Sequence, residues 1–122
     1  MAKKILIIED EPAQATTIDL AMKRVGFETI VAHDGAEGLN MAMEKEPDLI
    51  LLDLVLPKID GVSVLKQLRA NEFTSKIPIL VLTNLASGET VKEVIEAGGT
   101  DYLVKTDYTL EQLVHKVEDV LR

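Results

Sequence analysis

Five polar side chains that could act together stand directly after short apolar runs of this 122-residue chain: Glu9, Asp10, Asp53, Thr83 and Lys105. Brought to one place, the three carboxylates would repel one another and raise each other's proton affinity unless a cation intervened. Mg²⁺ suits such a set because it takes oxygen ligands in octahedral geometry and keeps several waters. The acids therefore indicate a site for Mg²⁺, or for Mn²⁺ in its place.

The other two side chains add a cation and a neutral hydrogen-bond donor. Lys105 supplies a positive charge, and Thr83 supplies a hydroxyl. With a divalent ion, they would stabilise the charged oxygens of a phosphoryl group, whose transfer depends mainly on positioning and electrostatics. Asp53 is then the natural nucleophile and would become an aspartyl phosphate.

These residues can meet only if the apolar runs form neighbouring strands. The runs are short, rich in branched side chains and bounded by polar or turn residues, as expected for strands buried on both faces. Residues at helical spacing lie between the runs, and Pro12 and the Thr109/Gln112 pair are typical helix starts. The predicted strands are Lys4–Ile8, Phe27–Ala32, Leu49–Leu52, Ile79–Leu82 and Tyr102–Val104.

The strict alternation of five strands with helices predicts an α/β domain. Its architecture is a doubly wound five-stranded parallel sheet with right-handed crossovers and helices on both faces. For this class we expect the strand order 2-1-3-4-5, with the chemistry at the carboxyl ends of the strands beside the switch point between the first and third. All five polar residues would lie at that edge.

Composition argues against several other classes of protein. A net charge of −8 would repel a phosphate backbone, and two Phe, two Tyr and no Trp leave little for bases to stack on, so no direct nucleic-acid binding is expected. No apolar stretch approaches membrane-spanning length, and the first apolar run stops at Glu9, too soon for a signal peptide. The lack of cysteine suits a cytoplasmic location. We expect one domain over residues 1–122, without an output domain.

Several segments, in order along the chain, resemble the receiver domains of two-component response regulators. Any one of them is weak evidence, but the whole set is highly specific. The resemblance implies the flavodoxin-like receiver fold and a chemotaxis-regulator-like single-domain receiver. The segments are Ile7-Ile8-Glu9-Asp10-Glu11, Leu51-Leu52-Asp53-Leu54 with Leu56-Pro57 and Asp60-Gly61, Leu82-Thr83, and Ala97-Gly98-Gly99 followed by Asp101 to Lys105.

The resemblance also implies roles for the site residues. Asp53 would be the phosphoacceptor, with Thr83 and Lys105 contacting the phosphoryl group. Such a domain is a signalling phosphoacceptor rather than an enzyme, although it assists its own phosphorylation and dephosphorylation. The implied metal ligands are Asp10, Asp53, the Val55 backbone carbonyl and, through water, Glu9.

The resemblance implies two kinds of partner, a phosphoryl donor and a downstream target. The phosphoryl group would come from a phosphohistidine on a histidine kinase or a histidine phosphotransfer domain. Thr83 and Tyr102 would form the switch, with Tyr102 turning inward on activation. A downstream protein target would then bind the face formed by the fourth helix, fifth strand and fifth helix. Residues expected on this face are Lys92, Glu96, Tyr102, Glu111 and His115.

Four positions bear on how the site would behave. Thr106 follows Lys105 where the family usually has proline, so a trans peptide bond is the default. Asn84 stands where the family prefers a smaller residue, and it is expected to narrow access to Asp53. The side chains two residues beyond Asp53 and Thr83 cannot orient a water for hydrolysis, so a long-lived phosphoryl group is expected. These two residues are Val55 and Leu85.

Simpler interpretations stay open at this point. Glu9 and Asp10 could merely cap the first helix, Lys105 could be a surface lysine, and Tyr102 could be a packing residue. A binding module that keeps the receiver fold but signals without phosphorylation is the main functional alternative.

Overall fold

The structure, a computed structural model, describes residues 2–56, 59–84 and 88–122. Strands and helices alternate along the chain, as predicted. The strands are β1 (Lys4–Ile8), β2 (Glu28–Ala32), β3 (Leu49–Asp53), β4 (Ile79–Thr83) and β5 (Asp101–Val104). The helices are α1 (Pro12–Arg24), α2 (Gly35–Lys45), α3 (Gly61–Ala70), α4 (Gly88–Glu96) and α5 (Leu110–Leu121), with a 3₁₀ helix at Lys105–Asp107.

The five strands form one parallel sheet in the order β2-β1-β3-β4-β5. This order confirms the doubly wound architecture. The chain changes its direction of travel across the sheet between β1 and β3, so a crevice opens at the carboxyl ends of these two strands. Three of the five predicted polar residues lie there: Glu9 and Asp10 follow β1, and Asp53 ends β3.

Each face of the sheet carries its own hydrophobic core, because successive side chains of a strand point to opposite faces. One core packs Ile5, Ile7 and Leu51 against α1 and α5. The other packs Leu6 and Leu52 against α2, α3 and α4. All five positions of β3 and of β4 are buried, which explains why these strands read as continuous apolar runs.

Local signals at the helix ends agree with the sequence. Pro12 occupies the first turn of α1, where a missing N–H costs nothing. The Thr109 hydroxyl accepts from the Gln112 backbone N–H, and the Gln112 side chain accepts from the Thr109 backbone N–H, which completes the predicted capping box. Gly26 follows α1 with a φ of 97°, a conformation that favours glycine.

Strand boundaries shift by one residue from the predicted ones. Asp53 and Thr83 are the last residues of β3 and β4 rather than the first residues beyond them. Two residues of the predicted pattern lie outside the described residues: Pro57 of the family-like segments and Leu85, one of the two side chains that cannot orient a water. Within the described ranges, no helix is long and apolar enough to cross a membrane.

Candidate functional site

The sheet register brings the ends of the central strands side by side. Ile8 pairs with Leu52, so Glu9 and Asp53 each stand one residue beyond a matched pair. Asp53 pairs in turn with Leu82 of β4, one residue before Thr83. Glu9 and Asp53 are therefore close because the register aligns them, and both are buried, with 2% and 7% of their surface exposed.

Three carboxylates cluster at this point. Glu9, Asp10 and Asp53 each offer an oxygen, and these oxygens lie within 4.8 Å of one another. Asp10 is exposed, whereas Glu9 is buried. The Glu9 Oε2 atom has no hydrogen-bond partner among the described residues. A buried, unpaired carboxylate oxygen beside two other acids fits a divalent cation with oxygen ligands.

Glu9 is the group whose protonation is most affected by the cluster. Burial and, after it, the nearby Asp53 raise the pKa of Glu9 from 4.5 to about 7, although Lys105 acts in the opposite direction. The carboxyl group therefore retains its proton to a higher pH than an exposed glutamate.

Lys105 reaches the same acids from the β5 edge of the sheet. It begins the 3₁₀ helix that follows β5, and its side chain is only 18% exposed. The ammonium donates to Glu9 Oε1 at 3.1 Å and lies 3.4 Å from Asp53 Oδ2. The interpretation of Lys105 as an ordinary surface lysine is therefore wrong.

Sequence reasoning missed one residue of the site, Gln14 on α1. Its side-chain oxygen accepts a hydrogen bond from the Lys105 ammonium at 2.8 Å, which is shorter than either contact of Lys105 with a carboxylate. The Gln14 amide nitrogen donates in turn to Glu11 Oε2 at 3.0 Å. A glutamine on an amphipathic helix gives no functional signal in the sequence, since nothing local places it against a residue 91 positions away.

The alternative that Glu9 and Asp10 cap α1 is also wrong. The residue at the N-cap position is Glu11, and its side chain accepts no capping hydrogen bond. Among the helix starts that the structure describes, the capping acids are Asp34, which accepts from the Glu37 backbone N–H, and Asp60, which caps α3 in the same way.

The loop after β3 is held close to the site. The Val55 backbone N–H donates to Asp53 Oδ1 at 3.4 Å, while the Val55 side chain is 63% exposed. A Cβ at Gly61 would lie 2.5 Å from the Leu54 Cα and 2.6 Å from the Asp53 carbonyl oxygen. Glycine at position 61 therefore allows the start of α3 to approach the backbone beside Asp53.

Thr83 and Tyr102 occupy neighbouring strands. Thr83 is buried at the end of β4 and pairs with Val104. Tyr102 is half-buried and packs against the core on the α2, α3 and α4 face. Its packing is the simpler of the two readings of this residue, and its inward turn on activation stays a prediction.

The two departures from the family pattern lie beside Lys105. The Lys105–Thr106 peptide bond is trans, as expected, and no cis bond occurs in the described part of the chain. Asn84 is exposed and lines the same cavity as Gln14, Lys105 and Thr106, between α1 and the start of α5. Its effect on access to Asp53 stays a prediction.

Comparison with known proteins identifies the family. Residues 5–118 match the sequence model of the response regulator receiver domain. The chain belongs to this family. Accepting a phosphoryl group in two-component signalling is the function of these receivers. The acidic cluster and Lys105 lie together at the carboxyl ends of β1, β3 and β5.

Relatives and solved structures agree with this assignment. The receiver is 40% identical over 124 residues to the alkaline phosphatase synthesis transcriptional regulatory protein PhoP of Bacillus subtilis, covering 100% of this chain and 50% of that protein. It is 38% identical over 119 residues to the DNA-binding dual master transcriptional regulator RpaA of Synechocystis, covering 98% and 49%. The solved structure of the Vibrio cholerae chemotaxis protein CheY4 superposes with a TM-score of 0.93 at 29% identity, covering 99% of this chain and 100% of that one.

The receiver spans about half the length of these curated relatives. The name of RpaA includes DNA binding, so the expectation that this protein has no direct contact with nucleic acid is not supported. The charge argument behind that expectation concerns only the 122 residues of the receiver. It does not extend to the rest of a longer protein.

Proposed function

We propose that Asp53 is the residue of this receiver that accepts the phosphoryl group. The observation that carries this proposal is its position: Asp53 is a buried acid at the end of the central strand, with a lysine ammonium 3.4 Å away. An ionised acid is costly to bury without a partner, and here the lysine ammonium supplies one. An oxygen of Asp53 attacks phosphorus as the bond from phosphorus to the donor's imidazole nitrogen breaks, and that nitrogen keeps the bonding electron pair.

The neighbouring side chains would stabilise the transferred group. The Lys105 ammonium offsets negative charge on the phosphoryl oxygens, and the Thr83 hydroxyl donates a hydrogen bond to one of them. Thr83 ends β4, the strand next to β3, and Lys105 directly follows β5, the strand after that. The sheet therefore holds both residues in place before the donor arrives. Pre-organisation of this kind is the main contribution a protein makes to phosphoryl transfer.

Asp10, Asp53 and the Val55 backbone carbonyl would hold Mg²⁺, with Glu9 acting through water. When bound, the ion neutralises charge between the carboxylates and the phosphoryl oxygens. The carboxylate cluster and the unpaired Glu9 Oε2 support this assignment.

The decisive experiment is mass spectrometry of the intact protein after incubation with acetyl phosphate and Mg²⁺. We expect one added phosphoryl group on the wild type and none on Asp53→Asn, because the asparagine amide is not a nucleophile of this kind. The exposed, helix-terminal Asp119 offers a matched control, and Asp119→Asn should be labelled like the wild type. Equal labelling of Asp53→Asn would disprove the assignment.

The same experiment decides the main alternative, a receiver fold that signals without phosphorylation. A wild type that takes no phosphoryl group from acetyl phosphate, or from a phosphorylated histidine donor, would favour that alternative. The assembled set of acids and Lys105 supports the phosphorylated form of signalling.

Membership of the receiver family supports the proposed partners. A histidine kinase or a histidine phosphotransfer domain would supply the phosphoryl group, in the cytoplasm. The chain then acts as a signalling phosphoacceptor, not as an enzyme with its own turnover. Its downstream target would bind the face of α4, β5 and α5, where Lys92, Glu96 and His115 are exposed.

A further inference from the structure

Lys105 has two hydrogen-bond partners of different kinds. One is the carboxylate of Glu9, at 3.1 Å, and the other is the neutral amide oxygen of Gln14, at 2.8 Å. Asp53 is a third neighbour, but at 3.4 Å it forms a looser ion pair with the ammonium. A lysine ammonium has three donors, so two are engaged away from the residue that must react.

Gln14 is itself held in place. Its amide nitrogen donates to Glu11 Oε2 at 3.0 Å, one turn earlier on the approach to α1. The side chain is half-buried at the wall of the cavity between α1 and α5. The amide oxygen is therefore directed at Lys105 by a hydrogen bond at its other end, which limits the rotamers it can adopt.

A neutral acceptor has an electrostatic advantage at this position. The site already contains three carboxylates, and a fourth would compete with Asp53 for the ammonium and for any cation. An apolar side chain would accept no hydrogen bond at all. Glutamine binds the ammonium without adding charge.

We propose that Gln14 is a positioning residue for phosphoryl transfer: its amide oxygen keeps the Lys105 ammonium beside Asp53 without a hydrogen bond to the attacking carboxylate. This inference rests on the proposed roles of Asp53 and Lys105. Without Gln14, the ammonium can close the 3.4 Å gap and hydrogen-bond Asp53. A carboxylate oxygen that accepts such a bond is a weaker nucleophile, so phosphorylation slows.

The test is the rate of phosphorylation of Gln14→Leu by acetyl phosphate, a small donor that needs no docking surface. We expect the rate to fall about threefold to tenfold, the effect of misplacing one charged hydrogen bond. Leucine is a good helix former, and the neighbouring cavity has an apolar wall, so the fold is retained. Gln67→Leu makes the same change at an exposed position of α3 and should leave the rate unchanged.

A second readout reports the ammonium directly. In wild type, NMR of the lysine side chains should show a slowly exchanging Lys105 Nζ signal, assigned by its loss in Lys105→Arg. Gln14→Leu should weaken or shift this signal, which a purely structural role on α1 would not do. The double change of Glu11→Gln with Gln14→Glu conserves net charge and keeps an acceptor at position 14, so it should restore the signal.

The outcomes separate this inference from the function on which it rests. If wild type is labelled at Asp53 and Gln14→Leu is labelled as fast, with an unchanged Lys105 signal, the role of Gln14 is overturned and the proposed function stands. A double variant that fails to restore the signal would also overturn it. If wild type takes no phosphoryl group at all, both proposals fail together.

Discussion

Among the acids that the structure describes, Glu9 has the environment that differs most from that of an ordinary carboxylate. Its pKa is raised to about 7 by burial and by Asp53. A raised pKa means that the folded protein binds more protons than the unfolded chain between pH 4.5 and about 7, so this contribution to stability is present at low pH and is lost as the pH rises through that window. A bound cation would compensate for the lost proton.

We predict the consequence for metal-free protein. In EDTA, wild type should lose on the order of 1–3 kcal/mol of unfolding free energy between pH 5 and pH 8 that Glu9→Gln does not lose, since glutamine has no proton to release. Thermal unfolding across this pH range measures the difference. Glu111→Gln, at an exposed position of α5, is the control and should follow wild type. Parallel curves for wild type and Glu9→Gln would contradict the prediction.

Val55 concerns the lifetime of the phosphoryl group. Its side chain is 63% exposed two residues beyond Asp53, where an attacking water would pass, and it cannot orient that water. We predict that Val55→Asn speeds loss of the phosphoryl group by about threefold or more, because an amide can position the water. The decay of the phosphorylated forms measures this, with Val25→Asn at an exposed site as the control. Wild-type decay as fast as that of Val55→Asn would show that the side chain does not set the lifetime.

The companion position, Leu85, lies outside the described residues, and Leu85→Glu is predicted to speed loss of the phosphoryl group as well.

At the scale of elements, one side chain joins the turns that lead into β4 and β5. The Arg69 guanidinium donates to the carbonyl oxygens of Ser75 at 3.0 Å, Ile77 at 2.7 Å and Gly98 at 2.8 Å. Partial burial lowers the pKa of Arg69, but arginine stays charged at any ordinary pH. It thus ties the end of α3 to the segments that precede β4, which ends at Thr83, and β5, which Lys105 follows.

Removing this arginine should destabilise the fold rather than the chemistry. We predict that Arg69→Met lowers the unfolding free energy by about 1–3 kcal/mol, the usual cost of leaving partly buried polar groups without partners. Urea unfolding measures the change, and Arg24→Met, at an exposed position on the last turn of α1, serves for comparison. Similar losses in the two variants would mean that the three carbonyls find other partners.

At the scale of the whole molecule, the site must be connected to the face formed by α4, β5 and α5. β5 lies at the edge of the sheet, with α4 and α5 on opposite faces beside it. Thr83 ends β4, the strand next to β5. Tyr102 belongs to β5 and packs against the core on the α4 side of the sheet. We therefore predict that a change at Thr83 is transmitted to α4 through packed side chains.

We predict that phosphorylation shifts the NMR resonances of α4 and β5 more than those of α2 and α3. The reason is that Thr83 would be drawn toward the phosphoryl oxygens, which biases Tyr102 inward by shifting a pre-existing equilibrium. In Thr83→Val, which keeps the shape but lacks the hydroxyl, phosphorylation should still occur while the shifts in α4 and β5 shrink. Shifts confined to the loops after β1 and β3 in wild type would rule this route out.

Much of this architecture could be predicted from local patterns. The apolar runs predicted all five strands to within about one residue, because a strand buried on both faces must be apolar throughout. The Thr109/Gln112 box predicted the start of α5, since capping depends on residues three apart. Alternation of strands and helices then restricted the sheet to a few topologies.

Other features depended on contacts between distant parts of the chain. No local pattern predicts that Glu9 is buried and Asp10 is not, but the end of β1 buries Glu9 and exposes Asp10. The contact of Gln14 with Lys105 joins residues 91 positions apart and exists only because α1 packs beside the end of β5. What the sequence alone determined, then, is the fold and which polar side chains stand at the strand ends, because both follow from short-range periodicity. Only the tertiary structure decided which acid is buried and what holds the lysine, since the packing of helices on the twisted sheet sets those distances.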